Sequence, residues 1–499
     1  MSARVRKRIA ALAVAVNACA AASASGAEHD GGHDASPPVH SAADIRGDLR
    51  ELYSTLQRAH FDLYAHRSRA EYDRLLSQML TEIREPESTG RTAIRFQRFV
   101  AFGRVAHARV DAASGDYLDY RDAGGKIFPL TLAFREDRAY VVENRSGVAG
   151  VPEGAELLTL DRQPLRSWIE RLGRHLSADT PYMTGSLLEY TFPRLLWQEA
   201  GERESFSISV RDGRTTRRYT IPARSWIDIQ ASPPAAATLV LDADSRSARM
   251  IDGRIAYLRP GPFYDNAADA TDPYDTTAFR SFIDETFASF LEQHADALLV
   301  DLRDNPGGDN SFSDLMVAWF ADRPFAFASA FRIRVSPEAV ASNERRLGAA
   351  SQPDGGVSRR LAQAYAGTRP GDVIDFDIGT AQPRAEPRFH GRVYLLVNRT
   401  SYSNTVFVAA LVQDYGFGTI LGEETSDLAS TYGAMETFTL PRTGIAVGFP
   451  KAQIVRPNGD ATTRGVVPDI AIATPVIQGA DDPVLQRAIA IVRERDGAR

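Results

Sequence analysis

Apolar residues recur every three to four positions between about residues 42 and 115. Three such stripes run over residues 45–56, 72–83 and 94–102. This spacing places the apolar side chains on one face of an amphipathic helix. The pattern therefore predicts a helical N-terminal domain over residues 42–115.

The apolar period shortens over residues 126–225. Short apolar runs at residues 128–132 and 140–142 are typical of strands, and an amphipathic helix is expected around Trp168. We therefore expect a β-rich domain here. Alanine and proline then dominate residues 232–237, a composition that predicts a linker.

Branched apolar runs at residues 297–300 and 393–397 are each followed by polar turn residues. Such runs are typical of strands that are buried on both faces of a parallel sheet. A helical stretch over residues 279–291 precedes the first run, and this alternation predicts a layered α/β domain over residues 238–499. The two turns should meet at the rim where ligands bind in such sheets.

The two turns carry chemically useful groups. Residues 301–308 read D-L-R-D-N-P-G-G, and residues 400–404 read T-S-Y-S-N. Glycines at the rim can present bare backbone N–H groups, and a serine that opens a helix can act as a nucleophile. Together the turns form the skeleton of an acyl-transfer site.

The N-terminus has the pattern of a secretory signal peptide over residues 1–27. Basic residues precede an apolar stretch over residues 9–22, and residues 22–24 fit an A-x-A cleavage site. A flexible leader is expected over residues 28–41. We therefore expect an exported protein in the periplasm or cell envelope, or a secreted one. Attachment to a membrane is expected only if Cys19, the single cysteine, is lipidated.

Composition narrows the classes of function. The chain has 499 residues and 43% hydrophobic content, which is enough for two or three domains. Its formal net charge is −6 and no basic stripe stands out, so a nucleic-acid partner is not expected. Nothing in the sequence points to a metal or to an organic cofactor.

Five ordered segments resemble the S41 peptidases, the tail-specific or C-terminal processing protease family. They are the two turns above, residues 409–416 (A-A-L-V-Q-D-Y-G), residues 422–425 (G-E-E-T) and residues 465–470 (G-V-V-P-D-I). The resemblance implies a ββα-spiral core like that of Clp-type proteases and crotonases, a protein or peptide substrate, and no cofactor. Residues 154–161 are similar to an element of PDZ-like domains, which bind chain ends by adding a strand. An ordinary β-rich spacer is the alternative.

The resemblance implies that Ser403 is the nucleophile. In the family, the catalytic serine lies eleven residues before the aspartate of the Q-D-x-G segment, which is Asp414 here. A second small hydroxyl residue follows the family's serine by two positions, and Thr405 holds that place. Ser401 is the alternative nucleophile.

Two bases occur in the family, and they define two branches. The lysine of the processing proteases would stand at Leu428, but residues 422–433 contain no lysine. The branch that resembles the tricorn core protease uses a histidine in a G-x-x-H context, which His107 fits. An imidazole can take the serine proton and return it to the leaving amine. The alternative is a histidine that only ends a helix.

The remaining parts of the site depend on the same resemblance. The family's glutamate, which would orient the histidine, is missing because Thr462 takes its place. Asp460, or Glu423 in the G-E-E-T turn, is the expected substitute. The family also implies an oxyanion hole of backbone N–H groups. The expected donors are Asn404, Gly308 and, if the turn is offset by one, Gly307.

Two hypotheses of function follow. The first is an exported serine-type endopeptidase that hydrolyses unfolded or C-terminal protein segments, with Ser403 as nucleophile and His107 as general base. The second is a catalytically weak or inactive module of the same fold that binds peptides or hydrophobic ligands. The missing lysine and glutamate favour the second, and the serine, histidine and glycine pair favour the first.

Overall fold

The computed structural model describes residues 39–232, 239, 241–349 and 356–496. The predicted signal peptide and Cys19 lie outside these residues, as do most of the leader and most of the linker. The last residues of the predicted leader do belong to the fold. Strand β1 (Val39–His40) pairs with β2 (Glu87–Ser88), because the backbone there finds hydrogen-bond partners on the helical unit.

The first part of the chain is helical. Its elements are α1 (Ala42–Ala59), α2 (Arg69–Glu82), α3 (Thr89–Ala101), a 3₁₀ turn (Asp111–Ser114) and α4 (Gly115–Asp122). Each of α1 to α3 begins after a serine whose hydroxyl accepts a backbone N–H of the first turn. The apolar faces pack with Val447 and Phe449 from far along the chain, so the helical unit shares its core with the C-terminal region.

The second part is a twisted antiparallel sheet with two helices. Its main strands lie in the order β4, β5, β6, β8, β9, and β7 pairs with β6. The elements are β3 (Lys126–Ile127), β4 (Leu130–Arg135), β5 (Arg138–Asn144), β6 (Glu156–Leu160), β7 (Gln163–Pro164), α5 (Leu165–Gly173), α6 (Pro181–Ala200), β8 (Ser205–Asp212), β9 (Thr215–Pro222), β10 (Arg224–Ser225) and α7 (Trp226–Ala231). Helix α5 is the amphipathic helix expected around Trp168. Helix α6 was not predicted, because its apolar residues surround the helix rather than form one stripe.

The third part is an α/β core around a six-stranded sheet. The strand order is β11 (Ser247–Ile251), β12 (Ile255–Arg259), β13 (Ala297–Asp301), β16 (Arg392–Val397), β17 (Thr419–Gly422) and β20 (Ile470–Ala471). All neighbours pair in parallel except β11, which is antiparallel at the edge. The predicted buried parallel strands at residues 297–300 and 393–397 are confirmed, and β13 and β16 are direct neighbours. The α/β fold class is therefore correct.

Helices cover both faces of this sheet, and a second sheet lies beside it. The helices on the main sheet are α8 (Thr277–Glu292), α9 (Asn310–Val317), α12 (Asn404–Tyr415) and α13 (Pro483–Asp496), whereas α10 (Pro337–Ala349) and α11 (Gly356–Tyr365) contact the second sheet. The second sheet has the order β15 (Val373–Asp375), β14 (Ala330–Arg334), β19 (Ala446–Val455) and β18 (Thr431–Thr439). Side chains of α8, α9 and α12 pack on one face of the main sheet, and those of α13 pack on the other.

Charged residues of the first turn brace the sheet rather than face a ligand. The guanidinium of Arg303 donates to Asp301 and to Asp482, each at 2.7 Å, and Asp482 precedes α13. Asp414 pairs in the same way with Arg456 at 2.6 Å. Within the described ranges, no helix combines the length and the apolar character needed to cross a bilayer.

Candidate active site

Ser403 lies on a sharp turn between strand β16 and helix α12. It occupies the N-cap position of the helix with φ 54° and ψ −127°, in the region that non-glycine residues rarely adopt. Its backbone N–H donates to Oδ2 of Asp427 at 2.6 Å. Strain of this kind persists only where the surroundings hold it, and it presents the side chain at the top of the sheet, as in a nucleophile elbow.

Ser401, the alternative nucleophile, has its hydroxyl committed to the fold. It is fully buried, donates to the carbonyl of Leu302 at 2.8 Å and accepts the N–H of Asn398. Ser403 is only half-buried, and within the described residues its hydroxyl makes no hydrogen bond. The geometry therefore favours Ser403 over Ser401.

The glycine turn lies directly against the nucleophile. A Cβ on Gly307, whose φ is 90°, would lie 2.6 Å from the carbonyl oxygen of Tyr402 and 2.8 Å from the amide nitrogen of Asn404. Gly308 pairs with Phe263, and a Cβ there would meet the Phe263 carbonyl at 2.2 Å. Both positions therefore need glycine, because a side chain would displace the backbone.

The expected oxyanion donors differ in their availability. The N–H of Gly307 donates to Oδ1 of Asn305 at 3.0 Å. The N–H groups of Gly308 and Asn404 have no acceptor among the residues that the structure describes. This geometry favours Gly308 and Asn404 as donors and leaves Gly307 to shape the turn.

His107 lies in an irregular loop that two distant parts of the chain anchor. The N–H of Ala106 donates to Oδ2 of Asp179 at 3.0 Å, and Ser177 donates to the carbonyl of Ala108. Arg109 forms an antiparallel bridge with Gly448 of β19, with hydrogen bonds of 3.0 and 2.8 Å. The residues on both sides of His107 are therefore fixed while its ring remains half-buried.

The imidazole of His107 packs beside the nucleophile turn. Its ring stacks on Tyr402, with centroids 5.9 Å apart and an interplanar angle of 26°. Tyr402 directly precedes Ser403. The Nδ1 atom of His107 is buried and has no hydrogen-bond partner in the described part of the chain. The loop thus brings His107 to the serine turn from the other end of the sequence.

Asp427 is a buried carboxylate between these two elements, and it was not predicted. Its oxygens accept the N–H groups of Ser403 and Leu428, the latter at 2.9 Å. Burial raises the pKa of Asp427, while the positive charge of His107 and these two N–H groups lower it. Asp427 directly precedes Leu428, the position at which the other branch of the family carries its lysine. This neighbourhood is the sequence signal that could have identified Asp427.

The two carboxylates proposed from the sequence point elsewhere. Asp460 is exposed, and its carboxylate accepts the N–H of Thr462 at 3.0 Å and the Thr462 hydroxyl at 3.2 Å, within one loop. Glu423 lies beside Tyr182, and its Oε2 is buried without a partner in the described residues. Neither makes a hydrogen bond or ion pair with His107 or Ser403 in the structure.

The described residues contain no set of side chains that could ligate a metal ion. No group of three or more histidine, cysteine, aspartate or glutamate side chains there could hold a metal ion. The chemistry of the site rests on a hydroxyl, an imidazole, a carboxylate and backbone N–H groups. This set is suited to acyl transfer.

Comparison with known proteins gives the same family as the motifs. Residues 254–472 match the family model described as "Peptidase family S41". The structure of mature CPAF is 17% identical, covers 92% of this chain and 98% of its own, and has a TM-score of 0.61. Mature CPAF complexed with lactacystin is also 17% identical, covers 91% and 97%, and has a TM-score of 0.59. At this identity the likeness shows a shared fold.

No significant relative was found among curated protein sequences. The family match spans the main sheet of the core except for edge strand β11, together with the glycine turn and the serine turn. The helical and β-rich units lie outside the matched residues, although they supply the loop that carries His107 and its anchors. Over residues 254–472, the chain is therefore similar to the peptidases of family S41, and this match supports a serine-type peptidase.

Proposed function

We propose that this protein is an exported endopeptidase that cleaves unfolded or C-terminal protein segments. The proposal rests on one observation. Ser403, His107 and two backbone N–H groups that have no acceptor in the described residues lie close together at one rim of the sheet. Export rests on the signal-peptide pattern of residues 1–27. An unfolded segment is the substrate class implied by the family resemblance, since its extended backbone can enter the cleft.

The reaction begins when the hydroxyl of Ser403 attacks the substrate carbonyl. His107 takes the hydroxyl proton as the C–O bond forms, and the carbonyl oxygen becomes an oxyanion. The N–H groups of Gly308 and Asn404 donate to this oxyanion, and one such donor contributes about 2.7–4 kcal/mol. His107 then gives its proton to the leaving amine, the C–N bond breaks, and water hydrolyses the acyl-enzyme by the same steps.

We further propose Asp427 as the third member, in place of Asp460 and Glu423. A buried carboxylate close to His107 stabilises the imidazolium that forms when the serine proton is taken. The same carboxylate holds the strained backbone of Ser403 through its N–H. Asp427 thus acts on both partners of the proton transfer.

A fluorophosphonate probe tests the proposal directly. Wild type should react with the probe and cleave unfolded casein, whereas Ser403→Ala should do neither. Ser401→Ala is the matched control and should retain labelling, because its hydroxyl bonds to the backbone rather than to substrate. Labelling of Ser403→Ala at the wild-type rate would contradict the assignment.

A binding module is the second candidate function. It is favoured by one observation: within the described residues, Ser403 and His107 make no hydrogen bond to each other. Wild type that neither labels nor cleaves, but binds unfolded casein or an apolar ligand with measurable affinity, would establish this alternative. Cleavage by wild type and loss of cleavage in Ser403→Ala would exclude it.

A further inference from the structure

We infer that Asp179 and Glu189 are positioning residues. They hold the loop around His107 (residues 103–110, the base loop) and the turn around Ser403 (residues 398–404, the nucleophile turn) at a fixed distance from each other. Asp179 and Glu189 both belong to residues 177–189, a short segment of the β-rich unit, here called the clamp. The inference rests on the proposed function, because it assumes that His107 and Ser403 react together. Neither residue lies in the part of the chain that matches the family model.

Asp179 fixes the loop that carries the base. Its side chain is 1% exposed, and Oδ2 accepts the N–H of Ala106, the residue before His107. The other oxygen lies 3.6 Å from Nε2 of His66. Ser177 holds the carbonyl of Ala108, the residue after His107. Two side chains of the clamp therefore grip the backbone on both sides of the base.

Glu189 fixes the turn that carries the nucleophile. Arg399 stands four residues before Ser403, and its side chain is 4% exposed. Its guanidinium donates to Oε1 of Glu189 at 3.1 Å and to the carbonyl of Phe134, and it lies over the ring of Tyr182 at 4.8 Å. The hydroxyl of Ser186 donates to the backbone carbonyl of Arg399 at 3.3 Å.

Glu189 is also held in place by the sheet of its own unit. Its Oε1 accepts the N–H of Phe134 at 2.8 Å and Nη1 of Arg135 at 2.9 Å. One oxygen of Glu189, which belongs to helix α6, therefore accepts hydrogen bonds both from edge strand β4 and from the serine turn. Arg399 cannot shift without breaking this set of partly buried hydrogen bonds, which costs free energy because the groups lose their partners.

The clamp is short and rigid, which explains how it can set a distance between two catalytic groups. Thr180 caps α6 by accepting the N–H of Met183, and the helix continues through Glu189. Asp179 therefore stands at the start of a helix and Glu189 about two and a half turns along it. A misplacement of about 1 Å between catalytic groups can cost about 100-fold in rate. A rigid spacer that contacts both groups prevents such a displacement.

Alanine variants of the two residues test the inference. Asp179→Ala and Glu189→Ala should each lower kcat by about 10–100-fold while KM changes less than about twofold. Asp179→Asn should restore most of the rate, because the amide oxygen can still accept the N–H of Ala106. Glu436→Ala is the matched control: Glu436 is a buried carboxylate outside the clamp that pairs with Arg346 and Lys451. It should lower the melting temperature while the folded fraction keeps its kcat.

Hydrogen exchange gives a second readout that does not need activity. Asp179→Ala should raise exchange in residues 103–110 but not in residues 398–404, and Glu189→Ala should do the reverse. Unchanged exchange in both segments, or kcat that falls no more than in Glu436→Ala, would overturn the inference. If wild type neither labels nor cleaves, the proposed function fails, whereas the exchange pattern still decides whether the clamp holds the two segments.

Discussion

The nucleophile turn and the base loop are built in opposite ways. The turn around Ser403 continues directly from strand β16, and its neighbour, the glycine turn, continues from the adjacent parallel strand β13. The loop around His107 follows helix α3, and among the described residues it pairs with a strand only through the bridge at Arg109. One half of the site therefore inherits its position from a sheet, and the other half depends on side chains from distant segments.

This difference predicts where the site tolerates change. A Cβ on Gly307 would lie only 2.6–2.9 Å from atoms of residues 402–404, so the close approach of the glycine turn to the serine turn leaves room only for glycine at position 307. The base loop is constrained by individual hydrogen bonds from Asp179, Ser177 and Gln97. Single side-chain deletions should therefore displace the base more readily than the nucleophile, since one lost bond is a large share of what holds the loop.

The largest effect is expected from removing the nucleophile. Ser403→Ala should lower kcat by about 10⁴–10⁶-fold and leave the binding of unfolded casein nearly unchanged, because the hydroxyl forms a covalent bond only during reaction. Steady-state kinetics and a direct binding titration measure the two quantities. A variant that loses binding together with turnover would mean that Ser403 contributes to ground-state recognition instead.

Removing the base should be nearly as damaging. His107→Ala is expected to lower kcat by about 10³–10⁶-fold, and the double variant with Ser403→Ala should be no worse than Ser403→Ala alone, because nucleophile and base act as a unit. The rates of the single and double variants form the test. Additive losses would show that His107 acts separately from the serine.

Asp427 connects the two halves, so its loss should have a smaller but clear effect. Asp427→Asn should lower kcat by about 10²–10⁴-fold through weaker stabilisation of the imidazolium. Asp460→Asn is the control, and it should leave kcat unchanged because its carboxylate bonds only within its own loop. Equal rates for Asp427→Asn and wild type would return the site to a serine–histidine dyad.

The smallest effect concerns the stability of the protein in acid. It involves His60, which lies at the end of helix α1 in the helical unit. Burial, together with the positive charge of Arg334, lowers the pKa of His60 to about 3. In the unfolded chain, the pKa of a histidine is near 6.5. As the pH falls below this value, His60 therefore becomes protonated in the unfolded state but stays neutral in the folded state. Because of His60, the free energy of unfolding should therefore be lower by about 2–3 kcal/mol at pH 4.5 than at pH 7.

Urea unfolding of wild type and His60→Phe at the two pH values measures this cost. His60→Phe should lose less stability between pH 7 and pH 4.5 than wild type, since phenylalanine does not titrate. Phenylalanine keeps an aromatic ring without a titrating group at this buried position at the end of α1. Identical pH dependence in both proteins would show that His60 is protonated in the folded state or is exposed.

The sequence by itself determined the parts of this protein that depend on local pattern. The apolar periods predict helices α1 to α3, and the branched runs before residues 301 and 398 predict two parallel strands that the structure confirms. The S41 motifs are contiguous in the chain, so the glycine turn and the serine turn could be recognised without coordinates. Such features are visible because each is encoded within about ten residues.

Only the tertiary structure decided which distant groups meet. The role proposed for Asp427 depends on its burial beside Ser403, and those proposed for Asp179 and Glu189 depend on contacts with residues 73 and 210 positions away along the chain. Helix α6 carries no single apolar stripe because it contacts both the sheet of its own unit and the core. Hydrogen bonds between distant segments leave no periodic trace in sequence, since their partners are chosen by the packing of whole units rather than by neighbours in the chain.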